Sequence, residues 1–323
     1  MRKMLIFMQV NDLIFKELIK RGYSLRGNTR VWDISDSKLW YLTPPQAQAY
    51  LNIEDSTKYQ GDISDKEMSL LDGHIQEIVG KVLHGSCINI IDIGCGDGRK
   101  AIPVIDEVCK KTRLKYCPVD ISSFMVKQAI NRISKLGKGE VVQFKWNISD
   151  FENLENVSAL LRDPEFRQNF LLFLGGTVTN FEVHEVMYEV AEAVDQGLDY
   201  LLIGLGLRTE SVNELTKKLR SEEFDKFFGL VLLEIGFSRE EIELGTRYSQ
   251  EGPRIEWYYT IRKNKTISLG EKSIRFNEGD QILVGTTYRY SKEEFEEAMR
   301  LYFFEVTFYM SDDGSRALVL CKK

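Results

Sequence analysis

One short stretch of the chain combines an acid with three alternating glycines: Asp92, Gly94, Gly96 and Gly98. The apolar residues 87–93 have the length and the β-branched content of a strand that is buried on both faces. A helical pattern begins near Lys100, and glycines allow a tight turn with no Cβ between the backbone and a ligand. A strand, a glycine turn and a helix in this order predict a nucleotide-binding α/β fold.

The spacing of the glycines separates the possible ligand classes. A dinucleotide fingerprint reads G-x-G-x-x-G, whereas here the third glycine comes one residue early and Arg99 follows it. A phosphate-binding loop would end in Gly-Lys-Ser or Gly-Lys-Thr, and this stretch does not. The order Asp-x-Gly-x-Gly-x-Gly is instead similar to the first motif of class I S-adenosylmethionine methyltransferases. An acidic strand end suits a ligand that carries an ammonium and a sulfonium. The alternatives are a glycine turn in another α/β protein and a dehydrogenase with a misplaced glycine.

Two further acids stand where later strands are predicted to end. Asp120 closes the next apolar strand, roughly twenty residues past the glycine turn, where an acid can hold a ribose diol by two hydrogen bonds. Its neighbour Ile121 is a second candidate contact there. Asp150 and Phe151 follow a third predicted strand over 141–146. In the methyltransferase fold, an acid at this place accepts a hydrogen bond from adenine, and an apolar side chain covers the ring.

A loop of small polar residues follows the fourth predicted strand, 170–174. It reads Gly-Gly-Thr-Val-Thr-Asn-Phe and runs from Gly175 to Phe181. Open α/β sheets bind ligands at the carboxyl edge of their strands. Gly175 is therefore a candidate cofactor contact, and Thr177 and Asn180 are candidate substrate contacts.

The order of the elements predicts the topology of class I methyltransferases: five βα units, a large insertion, then a helix and a closing antiparallel pair of strands. We expect an α/β fold with a mostly parallel, Rossmann-like sheet over 62–206 and 289–323. Residues 1–61 and 207–288 are expected to pack together as a smaller α+β, substrate-binding cap. Within the insertion the pattern predicts helices over 207–248 and strands over 254–261, 266–276 and 281–290.

The composition limits the classes of partner. The 323 residues include 43 Lys and Arg against 49 Asp and Glu, and this net charge of −6 argues against nucleic acid or an anionic membrane as the main partner. The five cysteines are an odd number without a C-x-x-C pair, so we expect a reducing, cytoplasmic setting and no metal site. The N-terminal residues are too soon charged for a signal peptide or membrane anchor. We expect a small-molecule substrate, and the oligomeric state stays open.

From about Tyr59 to the C-terminus, the chain resembles the histidine-specific methyltransferase family of ergothioneine biosynthesis. The likeness is best in 92–100, 116–120, 150–151 and the stretch Phe-Leu-Gly-Gly-Thr-Val-Thr-Asn-Phe that ends at Phe181. The resemblance implies S-adenosylmethionine as cofactor, with contacts from Gly94, Lys100, Asp120, Asp150, Phe151 and, in addition, Tyr41. It also implies that Asn180 holds the carboxylate of an amino-acid substrate and that Tyr59 lies beside its amine. These two are the candidate catalytic residues.

The chain departs from that family where the imidazole of histidine would be recognised. The family's glutamate and serine would fall on Gly285 and Thr287, and a glycine cannot accept a hydrogen bond from an imidazole N–H. The family's second carboxylate-binding tyrosine has no clear counterpart within 224–228. We therefore expect N-methylation of a small amino-acid-like or other amine by in-line methyl transfer. The alternatives are a methyltransferase for another metabolite or a protein side chain, and a catalytically silent module that binds the cofactor.

Overall fold

The computed structural model describes residues 10–56, 65–209, 216–217, 219–249 and 252–323. The chain divides into two compact units, and each unit is assembled from two segments of the chain. Unit 1 comprises Met1–Ile53 and Glu210–Thr287, and unit 2 comprises Glu54–Thr209 and Tyr288–Lys323. Among the described residues, no helix has both the length and the apolar composition that are needed to span a bilayer.

Helices and strands follow one another in this order. The helices are α1 (Val10–Arg21), α2 (Pro44–Glu54), α3 (Asp65–Val82), α4 (Ile102–Cys109), α5 (Ser123–Leu136), α6 (Leu154–Leu161), α7 (Val183–Glu192), α8 (Glu222–Glu234) and α9 (Lys292–Met299). The strands are β1 (Tyr23–Arg26), β2 (Thr29–Asp33), β3 (Ile88–Ile93), β4 (Leu114–Val119), β5 (Glu140–Val141), β6 (Gln168–Phe173), β7 (Tyr200–Gly206), β8 (Ile242–Tyr248), β9 (Arg254–Ile261), β10 (Lys265–Leu269), β11 (Lys272–Phe276), β12 (Gln281–Tyr288), β13 (Glu305–Met310) and β14 (Arg316–Lys322). Short 3₁₀ helices lie at Ser37–Trp40, Arg99–Ala101, Lys145–Asn147, Phe151–Asn153, Thr177–Asn180 and Arg239–Glu241.

Unit 2 is built around a seven-stranded sheet with the strand order β13-β14-β7-β6-β3-β4-β5. Strands β3 to β7 pair in parallel, whereas β14 runs antiparallel to both β7 and β13. Every residue of β3, β6 and β7 is buried, which explains why these strands are nearly continuous apolar runs. The mostly parallel sheet with a C-terminal antiparallel hairpin confirms the predicted fold class.

Helices cover both faces of this sheet. On one face, strand residues such as Ile90 pack with Leu71 of α3 and Val104 of α4. On the other face, Ile91 and its neighbours pack with α6, α7 and α9, for example with Met187. Because β3, β4 and β6 are parallel, their carboxyl ends lie along one edge of the sheet, and that edge is where such folds bind ligands.

Unit 1 contains a five-stranded sheet with the order β1-β2-β12-β9-β8 and a separate β10–β11 hairpin. Strand β12 of the insertion pairs in parallel with β2 of the N-terminal segment, and β8 pairs antiparallel with β9. The core of the unit includes Ile14 and Leu18 of α1 and Phe228 of α8, all fully buried. The N-terminal segment and the insertion thus share one sheet.

The third predicted strand, 141–146, is much shorter in the structure. β5 covers only Glu140–Val141, and a 3₁₀ turn occupies Lys145–Asn147. The side chain of Asn147 explains the turn, because its Nδ2 donates to the Pro118 carbonyl at 2.7 Å and its Oδ1 accepts the N–H of Phe144 at 2.6 Å. A short amide side chain here supplies hydrogen bonds that a strand ladder would otherwise supply.

Two predictions for the insertion are wrong. Residues 242–248 form strand β8 and do not continue a helical region, and 266–276 is the β10–β11 hairpin instead of one strand. Ile242 and Leu244 of β8 are buried while the residue between them is exposed, a period of two that indicates a strand. Residues 210–215 and 218, which belong to the same predicted helical region, lie outside the described residues.

Candidate functional site

The glycine turn leaves the carboxyl end of β3 with its three glycines in the left-handed region of φ. Two of them are required by close packing. A Cβ on Gly94 would lie 2.9 Å from Thr177 Cγ2, and a Cβ on Gly98 would lie 3.1 Å from Ala129. Gly96 differs, because a Cβ there would meet nothing within 4 Å. Gly96 therefore borders open space at the sheet edge, where a ligand can approach the backbone.

Asp92 is a buried acid near the end of β3, with 3% of its surface exposed. Its Oδ2 accepts a hydrogen bond from the Tyr116 hydroxyl at 2.6 Å, and no ion pair reaches it within the described residues. Burial raises the pKa of Asp92 to about 7 against the opposing hydrogen bond from Tyr116, and the nearby Asp120 carboxylate adds to the rise. A cation beside this acid would favour its charged form.

Asp120 follows β4 and faces the glycine turn. Its Oδ2 accepts the N–H of Gly96 at 3.2 Å, and its Oδ1 accepts the N–H of Ser122 at 2.9 Å. Burial raises the pKa of Asp120 to about 6, although these two N–H donors oppose the shift. The next residue, Ile121, is partly buried. The acid and the glycine turn, which are 24 residues apart, are thus in direct contact.

The chain returns to Asp120 after the 3₁₀ turn described above, because Ile148 forms an isolated parallel bridge with it. Asp150 follows two residues later, and its Oδ1 accepts a hydrogen bond from Asn153 Nδ2 at 3.1 Å. Phe151 is partly buried and makes edge contacts with the rings of Phe173 and Phe181, with centroids 5.4 and 4.9 Å apart. The structure therefore brings Asp150 and Phe151 to the same sheet edge as Asp120.

The loop after β6 lies against the glycine turn through Thr177 and Gly94. Gly175 begins this loop, and a Cβ there would lie 2.7 Å from the Nζ of Lys100. Asn180 ends the 3₁₀ helix Thr177–Asn180 and is partly exposed. Within the described part of the chain, its side-chain amide makes no hydrogen bond. The amide of Asn180 is therefore available to a ligand.

Two cations of the glycine turn are held by acids at the end of α2. Lys100 donates to Glu54 at 2.9 Å, and the two side chains are only 12% and 8% exposed. Arg99 pairs with Asp55 and with Asp97, each at 2.7 Å. Where the chain is described, no group of three or more His, Cys, Asp or Glu side chains could hold a metal ion.

Two predicted tyrosine contacts are not tested by the geometry of this edge. Tyr41 belongs to unit 1, where it packs against Tyr50 and Phe227 with ring centroids 5.5 and 5.8 Å apart. Tyr59 lies outside the described residues. The structure therefore gives Tyr41 an aromatic environment within unit 1, and the roles of both tyrosines stay predictions.

Gly285 and Thr287 also belong to unit 1, on β12. A Cβ on Gly285 would lie 2.6 Å from the ring of Phe228, so that ring occupies the space beside the backbone. Thr287 is buried, with 5% of its surface exposed. At position 285 the structure thus presents an aromatic ring and no hydrogen-bond acceptor from a side chain.

Sequence reasoning missed two acids beside the predicted contacts, Glu54 and Glu67. Glu54 pairs with Lys100, and Glu67 Oε1 accepts the N–H of Gly175 at 2.7 Å. One signal for Glu67 was available: it stands on the apolar face of α3, in register with Leu70 and Leu71. An acid at an otherwise apolar helix position indicates a specific buried partner.

The chain was compared with protein families, with curated sequences and with solved structures. A model of the histidine-specific, S-adenosylmethionine-dependent methyltransferases matches residues 52–323. No curated protein sequence matches significantly. Among solved structures, DesVI of Streptomyces venezuelae is 14% identical, with 84% of this chain and 98% of that chain covered and a TM-score of 0.38. A putative methyltransferase from Thermobifida fusca YX is 12% identical, with 87% and 89% covered and a TM-score of 0.44. The plantazolicin methyltransferase BpumL, solved with S-adenosylhomocysteine, is 13% identical, with 97% and 99% covered and a TM-score of 0.39.

Proposed function

The chain belongs to the histidine-specific, S-adenosylmethionine-dependent methyltransferase family, and on that basis we propose that it methylates the nitrogen of a small amino-acid-like amine. Methyl transfer from S-adenosylmethionine is the activity of the family whose model covers residues 52–323. The nature of the acceptor is the part that we propose, and it depends on the residues around the carboxyl edge of the unit 2 sheet.

One observation supports the cofactor site above all others: two buried acids without an ion-pair partner in the described part of the chain lie at the open glycine turn. Among the described residues, neither Asp92 nor Asp120 has an ion-pair partner, and both have raised pKa values. A Cβ on Gly96, in the turn beside them, would meet no atom within 4 Å, so space for a ligand is open there. S-adenosylmethionine carries an ammonium and a sulfonium, so its positive charge complements this acidic edge. The residues present therefore fit the cofactor.

Each residue of the edge has a proposed role in holding the cofactor. The Asp120 carboxylate would accept hydrogen bonds from the ribose hydroxyls, and Asp150 would accept one from the adenine amine. Phe151 would cover the adenine ring, since its own ring is fixed by edge contacts with Phe173 and Phe181. Gly94, Gly96 and Gly175 would allow the ligand to approach the backbone.

At the place where the acceptor amine binds, the reaction requires residues that position the amine more than it requires acid–base groups. The cofactor supplies a methyl group that is already activated by the sulfonium, so the protein must align a neutral amine with it and exclude water. Asn180, whose amide has no partner among the described residues, would hold the acceptor's carboxylate. Tyr59 would orient the amine or relay its proton. Thr177, packed on Gly94, would fix the loop that carries Asn180.

We do not propose histidine as the acceptor. The Phe228 ring lies against Gly285, and no carboxylate stands at that position to accept an imidazole N–H. Nearby, the partly buried rings of Tyr41 and Tyr50 pack on the buried ring of Phe227, and such rings suit an apolar or aromatic group. We propose that unit 1 recognises the acceptor's side chain. The second candidate function, favoured by the same Phe228–Gly285 contact, is methylation of a metabolite that is not an amino acid.

The test is calorimetric titration of the protein with S-adenosylhomocysteine, alone and then with histidine and a panel of apolar and aromatic amino acids. We expect micromolar binding that one non-histidine amino acid tightens, followed by mass-spectrometric detection of its methylated product. Cofactor binding without any such coupling would favour the second candidate. No binding of S-adenosylhomocysteine would contradict the proposed site as a whole.

A further inference from the structure

Glu67 is a buried acid that belongs to none of the contacts proposed above. It lies on α3 with 1% of its surface exposed. Its Oε1 accepts the N–H of Gly175 at 2.7 Å, across 108 positions of the chain. Gly175 is the first residue of the loop that carries Thr177 and Asn180, so this one hydrogen bond ties α3 to the start of that loop.

The structure makes room for the Glu67 carboxylate on the sheet. A Cβ on Gly204 of β7 would lie 2.3 Å from Glu67 Oε1, so any larger residue at position 204 would displace the acid. On the other side of the contact, a Cβ on Gly175 would lie 2.7 Å from the Lys100 Nζ. The Gly175 backbone is thus confined between a carboxylate from α3 and an ammonium from the glycine turn.

Glu67 holds this place at an energetic cost. Its second oxygen, Oε2, is buried and makes no hydrogen bond with the described residues. A buried polar atom without a partner costs about 1–3 kcal/mol. If the fold needed only to fill this space, an apolar side chain would fill it without that cost. Such exceptions to hydrogen-bond pairing are rare in folded proteins and concentrate where function requires them.

We propose that Glu67 is a positioning residue for ligand binding: through the Gly175 N–H it fixes the loop 175–180 in the conformation that receives cofactor and acceptor. Glu67 does not touch the ligand in this proposal. The inference rests on the proposed function, because it takes Gly175 as a cofactor contact. It predicts that loss of the carboxylate loosens binding in a protein that is still folded.

The first experiment compares Glu67→Ala with Glu67→Gln by calorimetric titration with S-adenosylhomocysteine. We expect Glu67→Ala to raise the Kd about tenfold or more, since one fixed hydrogen bond to the loop is lost. Glu67→Gln should stay within about threefold of the parent protein, because its amide oxygen can accept the same N–H. A lower Tm with an unchanged Kd in Glu67→Ala would show a merely structural role and overturn the proposal. Equal losses in both variants would also overturn it, since the acceptor oxygen would then not matter.

A second variant disturbs the contact between Glu67 and Gly175 through Gly204 of β7. It replaces the first experiment if Glu67→Ala does not fold. Gly204→Ala places a methyl group against Glu67 Oε1, so it should weaken S-adenosylhomocysteine binding in the same direction. The double variant Gly204→Ala, Glu67→Ala should bind no more weakly than Glu67→Ala, because both changes remove one contact. Additive losses, or full binding by Gly204→Ala, would contradict the proposed route through Gly175.

The control acid is Asp199, which lies just before the amino end of β7, the strand that contains Gly204. Asp199 is fully buried, accepts the backbone N–H of Asn169 at 2.8 Å and pairs with Arg162. Asp199→Ala should lower Tm and leave the Kd of the folded protein unchanged. If Asp199→Ala weakens binding as much as Glu67→Ala does, destabilisation accounts for both and the proposal fails. If the parent protein itself does not bind S-adenosylhomocysteine, the proposed function fails first.

Discussion

Both units of this chain bury acidic side chains, and these acids differ in whether a cation pairs with them. In unit 1, Glu256 of β9 is fully buried and is met by Arg26 at 2.5 Å, Arg247 at 2.7 Å and Arg254 at 3.1 Å. Burial alone would raise the pKa of Glu256, but hydrogen bonds from Arg26 and Arg247 outweigh it and hold that pKa near 2. The charge is permanent and compensated within unit 1.

In unit 2, Asp92 and Asp120 are left without such compensation. Their described partners are one tyrosine hydroxyl and backbone N–H groups. Burial raises their pKa values to about 7 and about 6. Around the glycine turn, the lack of a cation is specific to these two positions. Asp97, in the glycine turn between them in sequence, is paired with Arg99 and Arg132 and has a lowered pKa.

The difference separates acids that hold the fold from acids that we propose to bind a ligand. A buried acid surrounded by arginines stabilises its surroundings, and removing it takes away the anion that those arginines share. A buried acid without a cation is unfavourable for folding and is found where a ligand supplies the missing charge. The comparison therefore predicts that mutations of the two kinds of acid have different consequences.

The largest effect is expected at Glu256. Glu256→Ala leaves three arginines facing one another, so it should lower the free energy of unfolding by about 3–5 kcal/mol. Urea unfolding followed by tryptophan fluorescence would measure this, since Trp32, Trp40 and Trp257 lie in unit 1. The control is Glu243→Ala on the adjacent strand, where the pair with Arg262 is more than half exposed and should contribute less than about 1 kcal/mol. Equal losses in both variants would remove the distinction between compensated and exposed acids.

Asp120 should affect binding instead of folding. Asp120→Ala is expected to weaken S-adenosylhomocysteine binding by about 1–3 kcal/mol, because charge-assisted hydrogen bonds to the ligand are lost. The loss of stability should be smaller than for Glu256→Ala, since no cation of the described residues pairs with Asp120 and only the N–H groups of Gly96 and Ser122 lose their acceptor. Asp106→Ala is a suitable control, because that side chain is partly exposed and pairs with Lys138. An unchanged Kd for Asp120→Ala would exclude Asp120 from the site.

The two kinds of buried acid should also contribute to stability with opposite pH dependence. The folded-state pKa of Asp92 lies above its ordinary value of 3.8, so the folded protein binds more protons and stability falls as pH rises toward 7. The lowered pKa of Glu256 contributes stability above its ordinary value of 4.5 that is lost as pH falls toward 2. From pH 5 to pH 8, wild-type protein should therefore lose about 2–3 kcal/mol relative to Asp92→Asn. A constant difference between the two proteins would show that Asp92 does not titrate in this range.

The sequence was sufficient to place together those residues of the candidate site that depend on local patterns. Asp92 and the glycines follow from one strand and one turn, and Asp120 follows from the end of the next strand, so spacing along the chain carries the information. Glu67 could not be placed in the same way, because its partner Gly175 is 108 residues away and only the folded sheet brings them together. The short β5 was missed for a related reason, since Asn147 forms side-chain hydrogen bonds that no apolar pattern records.

The smallest change in stability is expected for a variant of Asn180, which can be compared with a variant of the hydrogen-bonded Asn89. Its amide has no hydrogen-bond partner among the described residues, so Asn180→Ala should change the free energy of unfolding by less than about 0.5 kcal/mol. A buried amide behaves differently: Asn89 donates to two carbonyls and to Asn169, and Asn89→Ala should cost about 1–3 kcal/mol.

Only the first of these amides is proposed to bind the acceptor. Asn180→Ala should therefore raise the KM for the acceptor amino acid about tenfold, while the Kd for S-adenosylhomocysteine stays within about twofold, because one hydrogen-bonded contact to a carboxylate is lost. Asn89→Ala should change neither constant once the folded fraction is taken into account. An equal rise in both constants for Asn180→Ala would place Asn180 with the groups that hold the cofactor. The free amide would then belong with Asp92 and Asp120, and another group would have to hold the acceptor.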